Sequence, residues 1–190
     1  MATRRDFVKQ SLMGAGVLLV NPSLYATQKD TKLEISLAQW SLHRALQSGK
    51  LDNLDFPAKA RNDFGIGAVE YVNQFFGGKK MDFKKAAKNT AYLNELLKRS
   101  KDAGVYNHLI MVDDEGPLAL PDDKERLPAV ENHKKWIEAA KFLGCRTVRV
   151  NLHGEGNSDA KKTASVDSLS RLGEFAAPMN INVVRSEEHT

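Results

Sequence analysis

Residues able to move protons cluster at the end of one apolar run of this chain. Asn151, His153 and Glu155 lie at or just beyond the end of residues 147–152, and histidine and carboxylate side chains are frequent general acids and bases. Gly154 and Gly156 let the backbone come close to a ligand. We predict His153 and Glu155 as catalytic residues and Asn151 as a substrate-binding amide. The alternative for His153 is a loop histidine that donates to a neighbouring carbonyl.

Three further candidates for substrate binding lie in or after earlier apolar runs. Glu70 interrupts the run 66–72, and a carboxylate in a strand buried on both faces requires a partner or a function. An ion pair with Arg149 or Arg44 is the alternative to a substrate contact. Trp40 and His43 end the first run, where an aromatic ring can stack on a ligand or simply pack.

For the other reactive side chains, a structural role is a better explanation than catalysis or binding. Consecutive carboxylates at 113–115 point in different directions and lack the spacing of a calcium loop, so we predict a solvated loop there. Asp122, Asp123 and Glu125 read as the acidic start of a helix, which complements the helix dipole. Cys145 is the one cysteine, and its apolar surroundings predict a buried, inert thiol.

The elements that must position these residues alternate regularly. Short apolar runs predict strands, and longer amphipathic stretches between them predict helices with one buried face, among them 86–100, 130–140 and 166–176. Gly104 and Gly144 follow predicted helices, where a left-handed residue ends the helix. The predicted strands are 33–40, 66–72, 105–112, 147–152 and 181–184.

This alternation predicts an α/β fold with a parallel sheet. An open nucleotide-binding sheet would carry a glycine-rich loop after its first strand, but here the strand ends in Gln39-Trp40-Ser41-Leu42-His43. We therefore favour a (β/α)₈ barrel. A whole barrel has eight strands and about 250 residues, so five strands predict a partial barrel.

The first 26 residues have the layout of an export signal. Arg4 and Arg5 precede Phe7 and Lys9, and a weakly apolar stretch follows at 11–20, as in twin-arginine signal peptides. We predict export to the periplasm, with cleavage near Ala26. Ten weakly apolar residues cannot span about 30 Å of hydrocarbon, so we expect no stable membrane insertion after cleavage.

The basic charge indicates no nucleic-acid partner. The chain has a net charge of +4, of which residues 1–26 carry +2 (three basic residues against one acid), so +2 remains for the rest. The other lysines alternate with acids, which is typical of a solvated face.

Three segments carry a family resemblance. Residues 35–42 (Ile-Ser-Leu-Ala-Gln-Trp-Ser-Leu), 108–116 and above all 139–156 resemble the sugar phosphate isomerase/epimerase family of the xylose isomerase-like barrels. The resemblance runs over about 33–184 and implies a metal-dependent enzyme that moves a proton between adjacent carbons of a sugar. Trp40, His43, Glu70 and Asn151 would then bind the sugar.

The resemblance also implies a divalent cation, Mn²⁺, Mg²⁺ or Zn²⁺, held chiefly by residues from the fifth strand onward. We therefore expect this metal in a full-length parent, none in a truncated chain, and assign no metal ligand here. Residues 185–190, Arg-Ser-Glu-Glu-His-Thr, match at all six positions the translation of a widely used sequencing adapter. We predict a non-native tail there.

The leading hypothesis is thus a fragment of a sugar isomerase or epimerase, inactive by itself and able to self-associate through the open edge of its sheet. Two alternatives stay open. One is an abasic-site endonuclease of the same superfamily, which requires several histidines and a basic groove. The other is a periplasmic sugar-binding module without catalysis.

Overall fold

A computed structural model describes residues 34–186 of the chain. The predicted signal peptide, 1–26, and residues 187–190 of the predicted tail lie outside the described residues. Arg185 and Ser186 lie within them, and the backbone N–H of Ser186 donates to the carbonyl of Val150 over 3.1 Å. None of the described helices is long and apolar enough to cross a membrane.

Within residues 34–186, five parallel strands form one sheet in the order of the chain. Each predicted apolar run overlaps one of them, and sequential parallel order with intervening helices is the arrangement of a (β/α) barrel. The prediction of an α/β fold with a partial barrel is confirmed. The strands are β1 (Leu37–Ala38), β2 (Ala68–Val72), β3 (Tyr106–Val112), β4 (Thr147–Val150) and β5 (Asn182–Arg185).

The first strand is much shorter than the predicted run 33–40. Gln39–Leu42 leave the strand as a 3₁₀ turn, and the side chain of Gln39 continues the pairing in place of the main chain. Its Oε1 accepts the backbone N–H of Val72 over 2.8 Å. Because Gln39 is fully buried, this bond satisfies a sheet donor that would otherwise lack a partner.

The helices cover one face of the sheet. Gly104 and Gly144 follow helix ends with φ of +62° and +78°, as the sequence predicts. Asp122 caps the fifth helix by accepting the N–H of Lys124 over 2.9 Å, so the predicted acidic helix start is confirmed. The helices are α1 (His43–Ser48), α2 (Phe56–Phe64), α3 (Phe83–Ala86), α4 (Thr90–Asp102), α5 (Asp123–Leu143) and α6 (Ser158–Ala176).

The core between sheet and helices agrees with the predicted helix faces in α5 but not fully elsewhere. Alternate strand residues such as Tyr71, Ile110 and Val148 are buried there, and Cys145 is buried as predicted, which raises the pKa of its thiol to about 12. In α4, Thr90 is exposed, and Leu96 is buried more deeply than the predicted Leu97.

The predicted face of α6 is wrong at Val166, which is 57% exposed. The buried stripe consists instead of residues four apart, namely Ala164, Ser168, Leu172 and Ala176. A polar contact decides this rotation of the helix. Ser168 Oγ donates to the carbonyl of Leu118 over 2.7 Å and accepts from the buried Arg126 of α5 over 3.2 Å.

The opposite face of the sheet is the one that lines the interior of a barrel. It carries a small apolar cluster that includes Leu46, Val72, Phe75 and Met111, together with Glu70 and Arg149. Because all five strands run the same way, their carboxyl ends meet at one edge, where barrel enzymes place their sites.

Candidate functional site

Two adjoining cavities lie at the carboxyl ends of the strands. The larger, here called the main cavity, measures about 450 Å³, within the usual range for small-molecule sites. The smaller, the side cavity, measures about 220 Å³. Asp113 and Asn151 border both, so this pair forms their common wall. The main cavity is also lined by Ala38, Trp40, Glu70, Val72, Met111 and Arg149, and the side cavity by Gln74, Asp114, Glu115, His133 and His153.

Asp113 follows β3 directly and is held at both its main chain and its side chain. The buried amide of Asn73 accepts the N–H of Asp113 over 2.9 Å and donates to its carbonyl over 2.8 Å. Asn151 Nδ2 donates to the Asp113 carboxylate. Burial raises the pKa of this carboxyl, Arg149 opposes that change, Asp114 adds to it and His153 opposes it.

Glu70 and Arg149 place opposite charges on the same face of the sheet. Ser36 Oγ donates to Glu70 Oε1 over 2.5 Å, and within residues 34–186 no ion pair joins Glu70 to Arg149 or Arg44. The buried Nε of Arg149 has no hydrogen-bond partner in this part of the chain. Both side chains therefore retain bonding capacity toward the main cavity.

Trp40 stands at the rim of the main cavity and is 50% exposed. Its ring stacks on His43, with centroids 4.8 Å apart and an interplanar angle of 17°. His43 Nδ1 donates to the carbonyl of Trp40 over 2.6 Å, but His43 does not line either cavity. The structure thus places His43 as a support for Trp40.

His153 and Glu155 lie in the loop between β4 and α6, and only His153 borders a cavity. The side chain of Glu155 is exposed outside both. Gly154 presses against the loop after β3, since a Cβ there would stand 2.6 Å from the Ala119 carbonyl carbon and the Leu120 nitrogen. A hydrogen bond from the N–H of Ala119 to the carbonyl of His153, 3.0 Å long, joins the two loops.

The acidic loop 113–115 is not the solvated loop that its composition predicts. Asp114 is exposed, with φ +57°, whereas Glu115 is 2% exposed. Glu115 accepts from Trp136 Nε1 over 2.8 Å and from Lys135 Nζ over 2.7 Å. The partners lie twenty residues further along, on α5, so no local pattern could indicate this buried ion pair.

His133 is a site residue that the sequence does not indicate. It is 2% exposed, its Nδ1 donates to the carbonyl of Ala129 over 2.7 Å, and its ring lines the side cavity. Burial lowers the pKa of His133, which favours the uncharged form of the ring. A histidine on the buried face of a long helix is ordinarily interpreted as a core residue. Only the fold brings His133 to the cavity that Asp113 also borders.

The described residues do not fit a complete metal site. Among residues 34–186 no three His, Cys, Asp or Glu side chains are placed to hold one metal ion. Asp113 and His153 both border the side cavity, but no third ligating side chain in this part of the chain completes a metal site with them.

Solved structures of known proteins share the fold of this chain. A D-psicose 3-epimerase from Clostridium cellulolyticum, crystallised with D-tagatose, has a TM-score of 0.61 at 12% identity, over 80% of this chain and 51% of its own. A sugar phosphate isomerase/epimerase from Parabacteroides distasonis has a TM-score of 0.59 at 15% identity, over 84% and 52% of the two chains. The chain has the fold of these sugar phosphate isomerase/epimerase barrels.

The IolI protein, solved with a bound zinc atom, shares the same barrel fold at a TM-score of 0.59 and 15% identity, over 80% and 51% of the two chains. The chain therefore spans about half the length of the barrels that it matches. No protein-family model matches the sequence, and no curated protein matches it significantly.

Proposed function

We propose that the whole protein is a sugar isomerase or epimerase and that this chain supplies the early-strand wall of its substrate site. The observation that carries the proposal is the main cavity. There a half-exposed tryptophan stands beside Glu70, Asp113, Arg149 and Asn151 at the carboxyl ends of parallel strands.

This set of side chains matches the surface of a small sugar. The hydroxyl groups of a sugar donate well to carboxylates, here Glu70 and Asp113, and accept from amides and guanidinium groups, here Asn151 and Arg149. Its carbon-bound hydrogens form apolar faces that stack on an aromatic ring such as Trp40. A site without a tryptophan or without mixed charge would suit a simple anion or an apolar ligand better.

Isomerisation and epimerisation require removal of a proton next to a carbonyl and its return to carbon. Of the two predicted proton carriers, His153 borders the side cavity next to the shared wall. We propose it as the carrier contributed by this chain. Glu155 stays a prediction, because its side chain is exposed outside both cavities.

The proposal includes a divalent cation, Mn²⁺, Mg²⁺ or Zn²⁺, in the whole protein, with ligands from outside residues 34–186. The zinc atom bound to the IolI barrel supports a metal in this fold. For the chain by itself we propose sugar binding without turnover, because it spans about half the length of these barrels. Metal analysis and a ketose epimerisation assay of the full-length gene product test both statements.

Binding of D-fructose to the purified chain, followed by calorimetry and by tryptophan fluorescence, tests the sugar site. Trp40→Ala should weaken binding about tenfold, because stacking and apolar contact together contribute about 1 to 2 kcal/mol. Phe64→Ala is the matched control, since Phe64 is similarly exposed at 49% but lies at the end of α2, outside both cavities. Equal losses in the two variants would contradict a sugar site at Trp40.

The two alternative functions predict different results. A non-catalytic sugar-binding module would bind the sugar, but its full-length form would produce no epimer. An abasic-site endonuclease would cleave abasic DNA and ignore ketoses. The small remaining charge of residues 27–190 favours the sugar enzyme.

Two further proposals concern the place and the assembly of the chain. We propose export to the periplasm by the twin-arginine route, supported by Arg4 and Arg5 before a weakly apolar stretch. We also propose self-association through the edges of the sheet, supported by the 40% exposure of Val184 in β5. Light scattering at increasing concentration tests the second proposal, and a constant monomer mass would contradict it.

A further inference from the structure

One wall of the side cavity carries a histidine nitrogen that receives no hydrogen bond from residues 34–186. His133 is 2% exposed, and its Nδ1 is committed to the carbonyl of Ala129. No hydrogen bond from residues 34–186 reaches its other nitrogen, Nε2, although the ring forms part of the cavity wall. The buried side-chain atoms without a partner among residues 34–186 are Arg126 Nε and Arg149 Nε, so His133 Nε2 keeps some accessible surface. It is free to accept a hydrogen bond from water or from a ligand in the cavity.

The neighbouring groups limit the kind of ligand that can donate to His133 Nε2. Both carboxylate oxygens of Glu115 already accept hydrogen bonds, from Trp136 and from the charged Lys135. Gln74 donates to Asp114 over 2.6 Å, and Asn151 donates to Asp113. These donors are therefore occupied. His153, which also borders the cavity, keeps a ring nitrogen that can donate, and the other free groups are acceptors.

An anion does not suit such a cavity, because the carboxylates of Asp113 and Asp114 border it. A metal ion does not suit it either, since no three ligating side chains converge in this part of the chain. Neutral hydroxyl groups fit best, because they donate to a neutral imidazole nitrogen and to a carboxylate oxygen.

The size of the cavity indicates part of a ligand. Its volume of about 220 Å³ lies below the usual range for whole ligands, about 300 to 1,000 Å³, and far above the space that one water needs. Asp113 and Asn151 border both cavities, so a sugar bound against this pair can contact both.

We propose that the side cavity is a subsite for the terminal hydroxyl groups of a sugar whose other end lies beside Trp40, with His133 Nε2 as a hydrogen-bond acceptor. His133 is then a residue that determines specificity for chain length. This inference rests on the proposed sugar function, because it assigns one end of the same substrate.

Two probes of different length test the subsite on the purified chain. D-Fructose has six carbons and reaches the side cavity, whereas dihydroxyacetone has three and fills only the main cavity. His133→Phe should weaken D-fructose binding about tenfold, as expected for a lost buried hydrogen bond of about 1.4 kcal/mol, and should change dihydroxyacetone binding less than twofold. His108→Phe, at an exposed histidine of β3, is the matched control.

A second measurement needs no variant. The nitrogen chemical shift of His133 Nε2, recorded by NMR on the unchanged chain, should move when D-fructose is added and stay constant with dihydroxyacetone. This result decides the matter even if His133→Phe fails to fold.

The outcomes separate the two proposals. If the unchanged chain binds neither sugar, the proposed function fails and the subsite fails with it. If D-fructose binds but the Nε2 shift is constant, or His133→Phe binds both sugars as the unchanged chain does, the subsite is overturned and the sugar function stands. If the chemical shift of Nε2 changes with both probes, the proposed role of His133 in specificity for chain length is also overturned.

Discussion

At the scale of single residues, the site depends on an amide that lines neither cavity. Asn73 is fully buried, and its side chain makes two hydrogen bonds with the main chain of Asp113. Asn73 lies at the end of β2 and Asp113 at the end of β3. The amide thereby fixes where the wall between the cavities stands, although it takes no part in binding.

Asn73→Ala should lower the free energy of unfolding by about 2 to 4 kcal/mol, because it leaves the partly buried N–H and carbonyl of Asp113 without partners. Sugar affinity should fall with it, since Asp113 loses its support. Urea unfolding measures the first effect and calorimetry the second.

Asn132→Ala is the matched control, because that amide makes a single, longer hydrogen bond of 3.3 Å to the carbonyl of Glu115. We expect a loss below about 1 kcal/mol there. Similar losses in both variants would show that Asn73 has no special role in the wall.

At the scale of elements, the approach of two loops requires a residue without a side chain. Gly154, after β4, lies against Ala119 and Leu120 of the loop after β3. The side cavity lies between these loops and α5, so their spacing sets its shape.

Gly154→Ala should destabilise the chain by about 2 kcal/mol or more, because a methyl group 2.6 Å from backbone atoms forces the loops apart. Gly173→Ala provides the comparison. That glycine lies inside α6 with nothing within 4 Å of an added Cβ, and alanine should stabilise the helix there by up to about 1 kcal/mol. Thermal unfolding of both variants measures the difference, and an unchanged midpoint for Gly154→Ala would contradict the close approach.

Most elements of the fold could be predicted because their signals are local. Runs of β-branched residues mark the strands, and glycines at positive φ mark the helix ends. The exceptions depend on side-chain hydrogen bonds between elements, which a local pattern does not contain. The side chain of Gln39, for example, accepts the N–H of Val72, where a longer β1 would use its main chain. Ser168 similarly turns α6 toward Arg126 and Leu118.

The site was less predictable for the same physical reason. Trp40 and Asn151 follow from strand ends, and Glu70 follows from its charge within an apolar run. All three line the main cavity, whereas His133 and Glu115 become site residues only through contacts across the fold. The partners of Glu115 lie on α5, far from its own loop. Sequence patterns over a few residues do not contain such contacts.

At the scale of the whole molecule, the described sheet is part of a larger barrel type. The chain spans about half the length of the barrels that share its fold. Its main cavity is open on the side of the sheet where the interior of a barrel lies. Under the proposed function, groups in addition to those of residues 34–186 complete the active site.

The predicted export route can be tested on the full chain fused to a reporter that is active only in the periplasm. Replacing both Arg4 and Arg5 with lysine keeps the positive charge but removes the arginine pair, and should lower the exported fraction at least about tenfold. Lys29→Arg is the control outside the motif and should leave export unchanged. Undiminished export of the double variant would exclude the twin-arginine route.

The two hydrogen bonds between the Asn73 amide and the main chain of Asp113 have a consequence for how such a site can change during evolution. Asn73 holds the main chain at position 113, which every amino acid except proline offers in the same form. The side chain at 113 can therefore be exchanged without loss of the hydrogen bonds that place it. A lineage can acquire a new substrate preference by mutation at 113 and Asn151, while the architecture encoded at Asn73 is inherited unchanged.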